Sequence, residues 1–354
     1  MQLILQWFRR TFSDPQLVVL LTLLVGGFVV VLTMGNMLAP VLASIVIAYL
    51  LEGLVAPLQR LGLPRMVAVV IVFVLFLIAL GLILFGLLPL LSRQVSQLVQ
   101  QLPNMITKGQ QVLMMLPEKH PGLITAEQVQ EVISAIGGEV GKLGQKVLSW
   151  SLASVVGLIT VLVYLVLMPL LVFFFLKDKK LLLDWVSSLL PEDRKIAVNV
   201  WREVDRQISN YVRGKFIEIL VVWAASYVTF VLLGLQYAML LSLLVGLSVI
   251  IPYIGATVVT LPVLAVAWFQ WGWTADFGYL AAAYFVIQAL DGNVLVPLLF
   301  SEVVSLHPIA IIVAILVFGG FWGFWGVFFA IPLATLVNAV IQAWPRRRRG
   351  EAPA

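Results

Sequence analysis

Cysteine is absent and histidine nearly so, with two residues in the whole chain. The first absence excludes disulfide staples and thiolate metal sites. No His-Glu-x-x-His motif and no Gly-x-x-x-x-Gly-Lys phosphate loop occurs, so a zinc hydrolase of that type and direct drive by ATP are both excluded. Charge is scarce as well. Asp, Glu, Lys and Arg make up 11% of the residues, against about 25% in an average soluble domain. From Phe216 to Pro345 there is no Lys or Arg at all. The N-terminus shows no small-residue cleavage site after a short apolar core, so no removed signal peptide is expected. No cofactor and no metal is expected either. Nucleic-acid binding is excluded because the basic residues are scattered, with Arg346–Arg349 as the single short cluster.

What fills the space is hydrocarbon: 62% of the 354 residues are hydrophobic. Crossing a bilayer takes roughly 20 apolar residues. Met66–Leu91 supplies such a run without one polar side chain. Gln16–Leu32 reads as a retained first span, Asn36–Met37 and Pro40 as the turn into a second run, Val41–Leu58, and Ser151–Leu176 as the fourth span. The fold expected is an all-α polytopic transmembrane helical bundle of about eight spans, some broken or re-entrant.

Two stretches have one apolar stripe and one wet face. In Ser92–Lys146, Val95, Leu98, Val99 and Leu102 recur at helical spacing, as do Val129, Val132, Ile133 and Ile136 behind a Thr125/Gln128 capping box. Pro103, Pro117, Pro121 and Gly137–Gly138 punctuate this stretch. Leu181–Tyr211 is amphipathic again, and Pro191–Glu192–Asp193 opens a helix within it. The expected organisation is N-terminal spans over 1–91, an extracytoplasmic helical subdomain over 92–149, a span over 150–176, and interfacial helices over 177–214. A C-terminal core over 215–345 and a basic tail over 346–354 complete it. Arg9/Arg10, Arg60/Arg65, Lys177/Lys179/Lys180, Arg213/Lys215 and Arg346–Arg349 all fall on one side if three spans precede the long loop. The positive-inside rule makes that side cytoplasmic, with both termini on it.

Ordered motifs mark the second half: Asp184–Trp185 with Leu189–Leu190–Pro191, Tyr211–Val212–Arg213–Gly214, Ile251–Pro252–Tyr253–Ile254–Gly255, Asn293 with Pro297, Leu306–His307–Pro308, then Gly319–Gly320, Gly323, Gly326 and Pro332. In their order and spacing the chain resembles the autoinducer-2 exporter family of membrane proteins, in its PerM-like permease branch. Ala256 stands where the family's usual motif has proline after Ile-Pro-Tyr-Ile-Gly. The resemblance implies export of a small molecule, or ion-coupled antiport, by a homo-oligomer of pentameric form in a bacterial inner membrane. It does not imply autoinducer-2 as this chain's substrate.

Ionisable groups inside a membrane are costly and mark functional sites. The Lys/Arg-free half holds four acids, Glu218, Asp276, Asp291 and Glu302. Asp276 reads as a loop residue. Glu218, one turn after Arg213 and Lys215, reads as an interfacial helix-end pair, and Arg213–Gly214 as a positively charged anchor at the start of a span. Glu52 reads as a helix-end residue near Arg60. Asp291 and Glu302, with Asn293, are the candidate substrate or ion pathway. A carboxyl in an apolar site with no cation nearby in sequence binds and releases protons near neutral pH. His307 suits a proton relay, or else caps a helix start. Pro252, Tyr253 and Gly255 mark a break of the kind that lines substrate sites. Gly319, Gly323 and Gly326 offer a close-packing face.

The function expected is therefore secondary transport of a small solute or ion across the lipid bilayer, as exporter, antiporter or channel, and not an enzyme. A scaffold without transport would not need the polar, broken second half. An intramembrane serine protease would need Ser248 with His307, but Val249 follows the Gly246–Leu247–Ser248 core where a small residue is expected.

Overall fold

The computed structural model describes residues 15–119, 155–188, 195–252, 254–300 and 307–343, together with Gln130, Ser134 and Gly138 singly. Every regular element among the described residues is helical. Five helices are long and apolar enough to cross a membrane: Met37–Arg60, Arg65–Val112, Asp205–Leu232, Ile254–Trp271 and Ala275–Phe300. Three shorter apolar helices, Val163–Lys177, Ala238–Ser248 and Ile309–Trp322, accompany them. This is an all-α polytopic membrane architecture.

Helix α1 (Pro15–Arg60) is 46 residues long, about 70 Å at 1.5 Å per residue. The turn expected at Asn36–Pro40 is not there. Pro40 removes one donor from the ladder, but lipid leaves the chain no solvent in which to unwind. Ser44 fixes the place instead. Its hydroxyl donates to the Pro40 carbonyl at 2.6 Å and reaches the Met168 carbonyl at 3.3 Å. The latter belongs to α4 (Val155–Lys177), which packs along α1.

The next helical run starts as α2 (Arg65–Leu82), passes through a π-helical turn, Ile83–Leu87, and continues as α3 (Leu88–Lys119). Pro103 and Pro117 do not punctuate it. The remainder of the expected outer subdomain, with the capping box and the second stripe, lies outside the described residues. A second π-turn, Asp291–Leu295, joins α9 (Ala275–Leu290) to α10 (Val296–Phe300). Each turn ends two residues before a proline, Pro89 and Pro297, and each is closed by an i to i−5 bond: Leu88 to the Ile83 carbonyl, Val296 to the Asp291 carbonyl. A proline ring clashes with the carbonyl four residues back and offers it no donor. One extra residue in the preceding turn relieves both faults, and Asp291–Asn293 therefore widens the helix without interrupting it. Asn293 completes the repair by donating from its side-chain amide to the Ala289 carbonyl at 2.8 Å.

The centre of the bundle is α6 (Lys195–Leu232), 38 residues in one helix. Arg213–Gly214 lies inside it, so the amphipathic and apolar segments on either side form one continuous helix. It packs against α1, α7 (Ala238–Ser248), α9, α10 and α13 (Ala330–Ala343). Pro191–Asp193 lies outside the described residues.

The two ends of the bundle differ. At one, α6 stops before Gly234 and α8 (Ile254–Trp271) stops before Gly272, both glycines with positive φ. Gln270 ties these turns together, donating to the Gly234 carbonyl and accepting from the Gln236 N–H, each at 2.8 Å. At the other end sit Arg60, Arg65, Lys177 and α5 (Lys179–Ser188).

Candidate functional site

Lys215 sits one helical turn before Glu218 in the middle of α6, and both side chains are almost wholly covered, 5% and 2% exposed. The Lys215 ammonium lies 2.6 Å from Glu218 Oε2 and donates to the Val249 carbonyl at 2.8 Å. Its open side faces the Phe300 ring, 5.1 Å from the centroid. The pair is thus not a helix-end anchor. The helix continues for more than three turns beyond it, and protein covers it on every side.

Gly214 explains how Phe300 comes so close. A Cβ there would stand 2.9 Å from Phe300 Cε1, nearer than van der Waals contact permits. Val249 caps the C-terminal end of α7, immediately before the Pro252 break. The break itself is real: α7 and α8 are separate helices that pack on each other. Gly255 sits beneath the last carbonyls of α7, where a Cβ would collide with the Ser248 carbonyl. Tyr253 lies outside the described residues.

Asp291 completes the group. It is close enough to interact electrostatically with both Lys215 and Glu218. Its Oδ1 is buried and accepts no hydrogen bond among the described residues. A second carboxylate, from a helix far away in sequence, thus lies within electrostatic range of the Lys215–Glu218 pair. Sequence reasoning paired Asp291 with no cation, because Lys215 lies on another helix. The available signal was Lys215 and Glu218 one turn apart where this helix passes from its polar first half to its apolar second half.

The remaining expected site residues separate from this group. Asn293 is exposed and spent on the backbone repair. His307 is exposed and caps α11 (Pro308–Trp322), its Nδ1 accepting from the Ile309 N–H at 3.3 Å, which is its helix-start reading. Glu302 lies outside the described residues. Gly323 turns the chain with φ 57° between α11 and α12 (Phe324–Phe328). Gly319 and Gly326 allow the two helices to touch, Gly326 lying under the Phe318 carbonyl. Arg213 is half-buried, its Nε without a hydrogen-bond partner among the described residues and packed over Gly53 of α1.

A second charged group occupies the basic end. Glu52 accepts from Arg65 at 3.3 Å and from Lys179 at 3.4 Å, and so does not pair with Arg60. Arg65 also donates to the Leu176 carbonyl at 2.7 Å. One turn away, the Tyr49 hydroxyl donates to Asp205 Oδ1 at 2.6 Å, tying α1 to α6.

A bundle of apolar helices, some broken, with an ionic group at their junction is the architecture of a polytopic membrane protein. Comparison with known proteins makes this specific. The family model described as AI-2E family transporter matches residues 18–346, and the chain belongs to that family. It is 49% identical over 345 residues to PerM of Escherichia coli (strain K12), named as a permease, covering 98% of each chain. It is 26% identical over 330 residues to YrrI of Bacillus subtilis (strain 168), named as a transport protein, covering 90% of this chain and 89% of that one. A protein of Mycobacterium tuberculosis (strain CDC 1551 / Oshkosh), likewise named as a transport protein, is 27% identical over 334 residues, with 90% and 87% covered.

Proposed function

We propose that this protein is a secondary exporter of a small solute, with Lys215, Glu218 and Asp291 as the centre that couples solute movement to protons. The observation that carries the reading is the charge count: one buried ammonium, one carboxylate in contact with it and a second within electrostatic range. With both acids ionised the group holds an excess negative charge in a low-dielectric place. One added proton neutralises it, and that difference is what a coupled carrier needs. Asp291 is the acid free to take the proton, since Glu218 is held by Lys215 at 2.6 Å. Lys215 also grips the end of α7 at the Pro252 break. A change of charge at Asp291 therefore acts on the helix junction where transporters bind and move their cargo. The basic end of the bundle faces the cytoplasm in this reading. Antiport of an inorganic ion would use the same group.

The test has two stages. Metabolites are compared between cells with and without the protein, and the solutes that accumulate in its absence are added to proteoliposomes containing trapped pyranine. Wild-type protein is expected to move protons when solute is added. Asp291→Asn, which keeps shape and removes charge, is expected to lower that solute-dependent proton flux at least tenfold while the protein still assembles. An unchanged flux in the variant removes Asp291 from the coupling step.

A further inference from the structure

Between Leu280 and Leu298, the membrane-spanning helical run that carries Asp291 has four polar side chains: Tyr284, Gln288, Asp291 and Asn293. Asn293 is spent on the Ala289 carbonyl. The other three recur at i, i+4 and i+7, so they line one face of α9 and its widened turn. Tyr284 is wholly buried there. Polar groups at membrane depth are costly and turn inward to partners. Here the partners form a chain. The Gln288 amide nitrogen lies 2.6 Å from the Tyr284 oxygen, which lies 2.9 Å from the Thr260 hydroxyl of α8. Thr260 in turn donates to the Ala256 carbonyl at 2.7 Å.

Counting hydrogens fixes every direction in this chain. A carbonyl only accepts, so the single hydroxyl proton of Thr260 goes to Ala256, and the Tyr284 hydroxyl donates to Thr260. The Tyr284 oxygen is left as an acceptor, and Gln288 must present its N–H side to it. The planar amide therefore turns its carbonyl oxygen away from Tyr284, and that oxygen accepts no hydrogen bond among the described residues. One turn further along the same face, Asp291 Oδ1 is buried and likewise unpaired. Residues at i and i+3 are neighbours on a helix surface, about 5–6 Å apart at Cβ. An ionised carboxylate and an amide carbonyl are both acceptors and form no bond, whereas a protonated carboxyl has a donor to offer. The charged groups that reach Asp291 from other elements are Lys215 and Glu218 of α6. Helices α7, α8 and α10 carry no ionisable side chain.

We propose that Gln288 is a positioning residue for Asp291: its carbonyl, aimed by Tyr284, accepts a hydrogen bond from the protonated carboxyl. This rests on the coupling role of Asp291 and deepens it by naming how the acid's charge state reaches α8. With Asp291 protonated, one run of donors leads from it through Gln288, Tyr284 and Thr260 to Ala256, in the first turn after the Pro252 break. With Asp291 ionised, the run ends at Gln288. The proton itself stays on Asp291. Lys215 already holds Val249 at the end of α7, so the two sides of the Pro252 break are gripped separately, α7 by the cation and α8 by this chain.

The full-length protein in phosphatidylglycerol bilayers is followed by infrared difference spectroscopy while the pH is stepped. The carbonyl band of the protonated Asp291 carboxyl is identified by its loss in Asp291→Asn. Gln288→Met keeps side-chain length and helix preference and removes the acceptor. The band is expected to move to higher wavenumber, because a carboxyl that no longer donates has a stiffer C=O bond. Tyr284→Phe leaves Gln288 in place but unaimed, and the band is expected to broaden as the amide takes both orientations. As the milder change, it keeps the proposal testable if Gln288→Met does not fold. A merely structural role would lower stability in either variant and leave the band where it was. A Gln288→Met band at the wild-type position, or a Tyr284→Phe band of unchanged position and width, overturns the proposal and leaves Asp291 coupling standing. Absence of any titrating Asp291 band in the wild type overturns both. A shifted band beside an unchanged proton flux in Asp291→Asn upholds the hydrogen bond and removes only the coupling.

Discussion

The two ionic groups of this protein use the same residue types in opposite proportions. Around Glu52, one carboxylate is shared by two cations, and all three side chains retain some exposure, 15% for Glu52, 35% for Arg65 and 42% for Lys179. Around Lys215, one cation pairs with Glu218 and a second carboxylate, Asp291, lies within electrostatic range, the closest pair being sealed from its surroundings. The first arrangement ties helix ends together where water and headgroups soften each charge. The second places an unbalanced charge on Asp291, half-buried beside a sealed pair. A membrane protein has little reason to retain such an imbalance for stability, since buried ion pairs seldom outperform apolar side chains of the same size. Imbalance in the interior is what the proposed proton-coupling role of Asp291 would require.

Three substitutions test that contrast, beginning with the largest effect. Lys215→Met strands the Glu218 carboxylate, and breaking a buried pair costs about 3–5 kcal/mol. Thermal unfolding in detergent is expected to show a sharp loss, largely regained in the double variant Lys215→Met, Glu218→Leu. A single variant as stable as wild type would show that the pair does not support the fold. Gly214→Ala leaves every charge in place and pushes the Phe300 ring off the ammonium. Overpacking of this kind costs about 1–3 kcal/mol, read in the same unfolding assay; no change would mean the ring moves aside freely. Glu52→Gln is the mildest. Its partners are partly exposed, and a pair of that kind contributes no more than about 1 kcal/mol. A loss comparable to that of Lys215→Met would erase the distinction between the two groups.

The sequence made the architecture legible wherever local chemistry decides it. Glycines at 234 and 272 end helices because only glycine adopts positive φ without cost, and the Pro252 break lies where proline and glycine bracket a short apolar run. It misled at Asn36–Pro40 and at Pro103, where proline in water would end a helix. The Ser44 hydroxyl and the packing of α4 on α1 hold the first of these straight, and such tertiary support leaves no local mark. The site was legible in part for a related reason. Asp291 and Glu218 stand out as acids in an apolar half, but the cation near Asp291, Lys215, lies on a different helix from it. Asp205 escaped notice because an acid among Arg202, Arg206 and polar neighbours looks solvated until Tyr49 is brought to it.

The widened turn before Pro297 sets the angular register of everything that follows it on that helix. A helix of 3.6 residues per turn advances about 100° per residue, so shortening Asp291–Leu295 by one position would swivel the next segment by roughly that much. Phe300 would then leave its seat on Gly214 and the lid over the Lys215 ammonium would come off, exposing the charge to whatever lies alongside. A single turn of backbone thus positions the ring that covers this buried charge.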